Sequence, residues 1–331
     1  MKPLRIGIVG CGPAGQAAAV FFARAGHTVT LLERAPKLGP IGAGLLLQPT
    51  GLSVLRTLGV LDEVLKLGDR VERLDGRTSH GKRILALRYD DLAPGLFGLG
   101  VHRGTLFSVL HRLVISAGIE TTLDAEFQHA ERSREGVTAI DRHNRRHGPF
   151  DLLVGADGAT SSTRQSVRGT SLGEPFLYGA LWFVADDPER RFSGTLSQVY
   201  EGTRRMIGFL PTGRVSTAPE SRPTVSVFWS LPRSSIAAVK AAGLGAWKND
   251  VRRLTRLADP LLDQIHDFER VIPAVYHLPR AARWHDDRVV LIGDAAHAMS
   301  PQLPAARAGR QPRAHGRRGA RRGNRPPLAS R

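Results

Sequence analysis

Hydrophobic and polar positions along the chain switch between two periods, and the switches mark out its elements. Arg5-Ile6-Gly7-Ile8-Val9 is a short β-branched run that predicts a buried parallel strand. It passes directly into Gly10-Cys11-Gly12-Pro13-Ala14-Gly15, and then into Gln16–Arg24, an alanine-rich helical stretch ending at Gly26. His27–Leu32 predicts a second strand, with Glu33 at its C-terminal end. After Gly44-Leu45-Leu46-Leu47 come a helical Leu52–Leu58 and strand-like pieces near Val71–Arg77 and Ile84–Tyr89. Val101–Leu106 then opens a helix running through Leu113. Two later apolar runs, Asp151–Gly155 and Arg288–Ile292, read as strands ending in Ala156-Asp157-Gly158 and Gly293-Asp294. Between Pro175 and Leu231 the pattern changes to aromatic-bearing strands, Phe176–Val184, Thr195–Tyr200, Arg205–Pro211 and Thr224–Leu231, broken by Gly, Pro and Asp. They predict a mostly antiparallel sheet forming the floor of a pocket, with Trp182, Phe183, Phe209, Phe228 and Trp229 as candidate lining. Helical stretches near Ala246–Arg256 and Asp259–His266 follow.

Composition narrows the class. A chain of 331 residues, 41% hydrophobic and 23% charged, suits one large α/β domain or two smaller ones rather than a disordered or coiled-coil protein. Its one cysteine, Cys11, excludes a disulfide framework, a dithiol redox centre and a multi-cysteine zinc site, and fits a reducing cytoplasm. No metal site is expected. No apolar run reaches the roughly eighteen residues that a membrane span needs. The greasy stretch Ile6–Ala23 is interrupted by Gly10, Gly12, Pro13, Gly15 and Gln16, as a strand and helix would be and a secretion signal would not. The net charge is +17, but Pro304–Arg331 holds nine arginines and no acid, leaving 17 − 9 = +8 for the rest. That tail has no aromatic residue for base stacking and no apolar face for a bilayer, so neither nucleic acid nor membrane is the expected partner.

The N-terminal strand, turn, helix and strand form a complete βαβ unit with G-x-G-x-x-G in its first turn and an acid about twenty residues on, the pattern of a dinucleotide site. Gly10 permits the tight turn, Gly12 lets backbone approach a pyrophosphate, and Gly15 lets helix pack on strand. The helix N-terminus offers N–H groups and a positive dipole end to the phosphates. Glu33 would accept hydrogen bonds from an adenosine ribose.

In chain order, this fingerprint, then Gly-Ala-Asp-Gly-x-x-Ser-x-x-Arg from Gly155 to Arg164, then Gly293-Asp294-Ala295-Ala296-His297, resembles the class A FAD-dependent aromatic monooxygenases, the p-hydroxybenzoate hydroxylase-like family. The resemblance covers roughly Leu4 to Leu303. It implies an α/β protein: a Rossmann-like FAD-binding domain with an inserted, mostly antiparallel β substrate domain. The expected division is 1–174 for the first part of the FAD-binding domain, with an excursion toward the substrate at about 68–100. The β-sheet substrate domain then takes 175–275, and 276–303 returns to the FAD-binding domain. By the same resemblance, Gly10, Gly12, Gly15 and Glu33 hold the ADP half of FAD, with Pro13, Ala14 and Arg34 as further cofactor contacts. Arg103 reaches the flavin side, Asp157 and Gly158 sit where FAD and the nicotinamide cofactor both touch the protein, Asp294 binds the ribityl or ribose hydroxyls next to the pyrophosphate, and Gly44, Gly293 and Pro301 are further cofactor contacts. The implied reaction takes electrons from NADH or NADPH, adds O2 to give a flavin hydroperoxide, and passes one oxygen to a small aromatic substrate. Several of these residues also have structural readings. Asp157 and Asp294 follow apolar strands, where an Asp is a turn or cap residue. Arg103 also reads as a solvated arginine at a helix start, and Arg164 as either a ligand contact or a brace for the Asp157 turn. His297 reads as a helix-start residue packing near the cofactor.

Related flavoenzymes fit less well. A disulfide reductase needs a cysteine pair, and a two-dinucleotide enzyme needs a second glycine fingerprint after a strand; Gly243-Leu244-Gly245 sits in a helical context instead. There is no W-x-W of the halogenase type, while reductases and dehydrogenases of the same fold share the FAD motifs. The family pattern continues past a proline to a Gly-Gln-Gly-x-Asn turn, but from Pro304 the composition collapses to Arg, Pro, Ala, Gly and His. Codon degeneracy permits Gly-Gln-Gly-Ala-Asn-Leu-Ala-Leu-Met-Asp-Ala when the segment from Arg307 to Arg318 is read one base out of frame. The basic tail 304–331 is therefore expected to be a shifted coding frame, and the chain as written a truncated form of its parent, the other reading being an inactive remnant of the fold.

Overall fold

The computed structural model describes residues 2–39 and 42–299; Pro301 and the tail 304–331 lie outside the described residues. The expected strand Arg5–Val9 forms the middle of a six-stranded sheet. On one side of it lie Leu152–Gly155, Val289–Leu291 and the short His285–Asp286, and on the other Thr28–Leu32 and Glu120–Thr122. All neighbours run parallel except the edge strand His285–Asp286. Ile8 stands opposite both Val154 and Leu31.

Alternation along Arg5–Val9 decides what covers each face of this sheet. Ile6 and Ile8 pack with Ala19 and Val20 of the helix Pro13–Arg24 and with Leu106, Val109 and Leu110 of the helix Arg103–Ser116. Val9 faces the other way, into a core with Phe127, Val137, Ala139 and Phe150. Gly7 shares that direction, and a Cβ there would lie 2.5 Å from the Phe150 ring, so the ring lies flat on bare backbone. These partners come from a three-stranded antiparallel sheet, Phe127–Arg132, Val137–Asp141 and Arg146–Phe150. It has no counterpart among the expected elements, because Phe127–Arg132 fully buries Phe127 alone and Arg146–Phe150 only Phe150. A hydrophobic pattern cannot announce strands that are almost wholly polar.

The second sheet has nine strands and is mostly antiparallel. In spatial order it runs Ile272–His277, Pro175–Asp186, Thr224–Pro232, Arg205–Gly213, Gly194–Glu201, Asp69–Thr78, Gly98–His102 and Gly44–Leu47, with Arg83–Arg88 paired to Asp69–Thr78. Gly194–Glu201 and Asp69–Thr78 are parallel neighbours. The sheet therefore draws strands from before residue 68, since Gly44–Leu47 already belongs to it. It also curls. A Cβ on Gly100 would collide with the carbonyl oxygen of Pro211, although their strands stand three steps apart in the order.

Register divides the expected pocket aromatics between two faces. Phe183, Phe209 and Trp229 point toward the helix Ile236–Leu254 and pack around its Trp247. Phe183 meets Trp247 edge-on at 5.8 Å, and Phe209 stacks on Phe192 at 4.7 Å. They are core residues and not pocket lining. Trp182 and Phe228 are direct cross-strand partners on the opposite face, and only these two of the five look into the curl. The helix Ile236–Leu254 is broken at Gly243, whose φ of 86° no helix contains, so Gly243-Leu244-Gly245 is a helix break and no dinucleotide turn. No described helix is long and apolar enough to cross a membrane.

Candidate functional site

Three strand ends of the six-stranded sheet meet at the start of the helix Pro13–Arg24. Gly10 has φ +102°, a left-handed value that a side chain resists, and its Cβ would lie 2.5 Å from the Ala156 carbonyl oxygen and 2.8 Å from the Asp157 Cα. A Cβ on Gly15 would collide with the Gly10 carbonyl oxygen and would lie 3.4 Å from the Ala156 Cβ. A Cβ on Gly293 would lie 2.9 Å from the Ala14 Cβ. The turns after Arg5–Val9, Leu152–Gly155 and Val289–Leu291 are thus in mutual contact. Gly12 differs: nothing lies within 4 Å of its Cβ position. The space it leaves opens in front of the helix N-terminus, where Pro13 takes a first-turn position, no side chain caps the helix and no acid stands in the first turn.

Glu33 lies half-buried beside this turn. Its Oε2 accepts the Cys11 N–H at 2.8 Å and its Oε1 the Ala35 N–H at 2.9 Å. Arg34 next to it is exposed. The Cys11 thiol is buried, and burial together with the Glu33 charge pushes its pKa up to about 11, so it stays a protonated packing group. Gln16, fully buried below the turn, donates to the Cys11 carbonyl at 2.7 Å.

Asp157 is braced from one side only. Its Oδ2 accepts the Thr163 N–H at 3.0 Å and the Thr163 hydroxyl at 2.9 Å, while its buried Oδ1 has no partner. Gly158 beside it borders open space. Arg164 is 1% exposed and spends its donors on backbone. Nε reaches the Ala295 carbonyl at 2.9 Å, Nη1 and Nη2 the Ala159 carbonyl at 3.2 and 3.1 Å, and Nη2 also the Asp294 carbonyl at 3.2 Å. Burial lowers its affinity for its proton, and the carboxylates of Asp157 and Asp294 act in the opposite sense. Of the two sequence readings, the brace is what the geometry supports: this guanidinium ties the turns of Asp157 and Asp294 together. Asp294 itself is exposed at the start of the short helix Asp294–His297. His297 ends that helix instead of starting it, and stands exposed with its ring 6.4 Å from Trp284.

Arg103 and Gly44 lie in a second cluster, where the two sheets join. Arg103 is exposed at the first position of its helix, and its N–H donates to the Ala43 carbonyl at 3.1 Å. A Cβ on Gly42 would sit 2.9 Å from the Arg103 Cδ. The Gly44 N–H donates to the Ser226 hydroxyl at 2.7 Å, and a Cβ on Gly44 would collide with Thr212 and meet Ser226 Oγ at 2.6 Å. The missing side chain of Gly44 is thus used for packing one strand of the curl on another. Thr163, Ser226 and Gly42 escaped the sequence reading. Thr163 carried a signal, lying between Ser161 and Arg164 of the second fingerprint, whereas Ser226 is legible only once strands are in register.

These residues fit a dinucleotide. An open approach at Gly12, an uncapped helix N-terminus for an anion, a carboxylate at the end of the second strand and an orphaned carboxylate oxygen on Asp157 are all present on one side of the sheet. A model of the FAD-binding-domain family matches residues 4–303. The chain is 28% identical over 320 residues to 6-hydroxynicotinate 3-monooxygenase of Bordetella bronchiseptica, covering 91% of this chain and 78% of that protein. It is 30% identical over 311 residues to 3-hydroxybenzoate 6-hydroxylase 1 of Aquipseudomonas alcaligenes, covering 88% and 74% respectively. Its fold matches the solved tetrameric form of 2-methyl-3-hydroxypyridine-5-carboxylic acid oxygenase with a TM-score of 0.74 at 21% identity, over 91% of this chain and 77% of that one. A family match across nearly the whole described chain, on a fold whose three fingerprint turns converge, means that the protein belongs to the FAD-binding family of class A flavin-dependent aromatic monooxygenases.

Proposed function

We propose that this FAD-dependent monooxygenase hydroxylates a small aromatic or heteroaromatic ring, with NADH or NADPH as transient electron donor and O2 as the oxygen source. The observation that carries the reading is the convergence of the Gly10, Asp157 and Gly293 turns on one uncapped helix end. Gly10, Gly12, Pro13, Ala14 and Gly15 would face the pyrophosphate with backbone N–H groups, and Glu33 and Arg34 the adenosine ribose. Asp157, Gly158, Gly293 and Asp294 would hold the middle of the cofactor, and Gly44 and Arg103 would stand toward its flavin end. Bound FAD supplies electron transfer and oxygen activation; the protein binds, orients and excludes water. A reducing cytoplasm suits the single buried cysteine.

The test is direct. Purified protein given FAD should turn yellow, and its oxidation of NADH or NADPH should quicken when a hydroxylated aromatic acid is added. Protein that stays colourless in excess FAD would end the proposal. A yellow protein whose oxidation rate ignores every ring compound would leave a flavin oxidoreductase of the same fold and remove the hydroxylase reading.

A further inference from the structure

Inside the curl of the nine-stranded sheet, one polar side chain stands apart from the others. Ser226 and Ser230 are engaged, the first by the Gly44 N–H and the second by the Gly179 carbonyl, and Tyr89 gives its hydroxyl hydrogen to Gln48 at 2.8 Å. Gln198 is only half satisfied. Its Oε1 accepts the Tyr200 hydroxyl at 2.9 Å. Its Nε2, with two hydrogens to give, reaches only the Met206 sulfur at 4.0 Å, a weak acceptor at the limit of contact. The residue is 7% exposed, so water does not readily serve in place of a partner.

Aromatic rings stand on both sides of it. Across the sheet Gln198 pairs with Gly208 on one side and Gly76 on the other. Cross-strand partners point to the same face, so the amide stands between two positions without side chains. Both positions are covered, Gly208 by an aromatic ring and Gly76 by Leu85 and an aromatic ring. A Cβ on Gly208 would collide with the Phe228 ring, and a Cβ on Gly76 would lie 2.8 Å from the Leu85 Cβ and 3.1 Å from the Tyr200 ring. Trp182 continues the row beyond Phe228. The same face reaches the flavin-side cluster: Ser226, which holds Gly44, stands two residues from Phe228 on the strand Thr224–Pro232, about 7 Å along it.

We propose that Gln198 is a specificity-determining residue. Its Nε2 donates to an acceptor oxygen, a phenolic or carbonyl oxygen, carried by the substrate ring, while Phe228 and Tyr200 flank that ring. Tyr200 fixes the amide the right way round: by donating to Oε1 it leaves Nε2 as the end available to the ligand. This deepens the hydroxylase reading and rests on it. It adds which atom of the substrate is read, and by which side chain.

Matched pairs that differ only in one ring hydroxyl test it: 3-hydroxybenzoate against benzoate, and 6-hydroxynicotinate against nicotinate. Dissociation constants come from calorimetry on the FAD-loaded full chain, without turnover. The wild type should prefer the hydroxylated member of at least one pair by about tenfold, the scale of one net hydrogen bond. Gln198→Met, which keeps length beside Met206 but has no N–H, should bind both members of that pair alike and retain its flavin spectrum. Tyr200→Phe, which releases the amide without removing it, should lose part of the preference. A Gln198→Met protein that binds FAD and still prefers the hydroxylated ring overturns the assignment of Gln198 and leaves the hydroxylase reading standing. A wild type that binds rings but never distinguishes the pair members also overturns it. A wild type that binds none of the four rings brings down both.

Discussion

At the scale of single residues, the first turn makes two glycines do opposite jobs, and a pair of substitutions separates them. Gly10 is held at φ +102° with backbone of the Asp157 turn 2.5–2.8 Å from where a Cβ would be. Neither strain nor contact can relax without moving the second turn, so Gly10→Ala should destabilise the folded protein by roughly 2–4 kcal/mol. Gly12 has φ −74° and ψ 178°, values any residue adopts, and empty space around its Cβ position. Gly12→Ala should therefore leave the urea midpoint nearly unchanged, within the roughly 0.5 kcal/mol of a neutral surface change. Its methyl group would instead occupy the place where backbone approaches the pyrophosphate, and FAD should bind at least tenfold more weakly in a fluorescence titration. If Gly12→Ala binds FAD as the wild type does, the phosphates do not lie at this helix end. Arg164 makes a related point about reading residues. A buried guanidinium on three backbone carbonyls is a brace, and its distance from any open space is visible only when the strands holding Asp157 and Asp294 are seen side by side.

At the scale of elements, what was legible depended on burial. Arg5–Val9, Leu152–Gly155 and Val289–Leu291 are largely buried strands that apolar runs betray, and Thr28–Leu32 shows itself by β-branched residues around Val29, Leu31 and Leu32. The turns between them are written in glycines whose geometry leaves little choice. In the three-stranded sheet at 127–150 the two flanking strands, Phe127–Arg132 and Arg146–Phe150, are largely solvated and polar, so periodicity does not show them. Three of the five pocket aromatics, Phe183, Phe209 and Trp229, turned out to be core for a third reason: alternation sorts Trp182 from Phe183, but which face is core depends on where the helix Ile236–Leu254 docks. Charge, too, works between elements. Arg5 holds Asp151 at the entry to the central strands, and Arg168 holds Asp286 on the edge strand, and each carboxyl is brought down to about 2. Hydrogen bonding from the arginine is the main cause in both. Because these pKa values are lower in the folded state than the ordinary 3.8, the two pairs stabilise the fold above about pH 4 and lose that contribution as pH falls toward 2. Replacing Arg168 with Met should therefore lower stability by one modest amount at every pH above about 4, pH 7 included, and leave it unchanged near pH 2, so that the acid limb between pH 4 and 2 flattens; the loss stays small because Arg168 is largely exposed. Chemical denaturation across that range measures it, and an unchanged acid limb would mean that the pair contributes nothing.

At the scale of the whole molecule, the question is how a nucleotide-type sheet and a curled antiparallel sheet come to share one site. The sequence order shows the difficulty: strands at 44–47, 69–78 and 98–102 leave the first unit early and enter the second sheet before its main strands are made. No local pattern states that they will pair with residues more than a hundred positions later, as Gly76 does with Gln198. What permits the curl is bare backbone at the places where strands cross. Gly44 lies on Thr212 and Ser226, and Gly100 on the Pro211 carbonyl. The same curl gives Gln198 its enclosed face and brings Gly44 against Thr212 and Ser226. Gly100→Ala tests the curl, because its methyl group meets a backbone oxygen that no rotamer change can move. It should cost roughly 2–3 kcal/mol of stability. In the fraction that still folds, ring-compound binding should fall by more than FAD binding, since the Gly10, Asp157 and Gly293 turns do not touch Gly100. Equal losses of the two would place the curl and the dinucleotide turns in a single cooperative unit. No loss of either would show that the seam yields freely and that the enclosed face of Gln198 is not set by it.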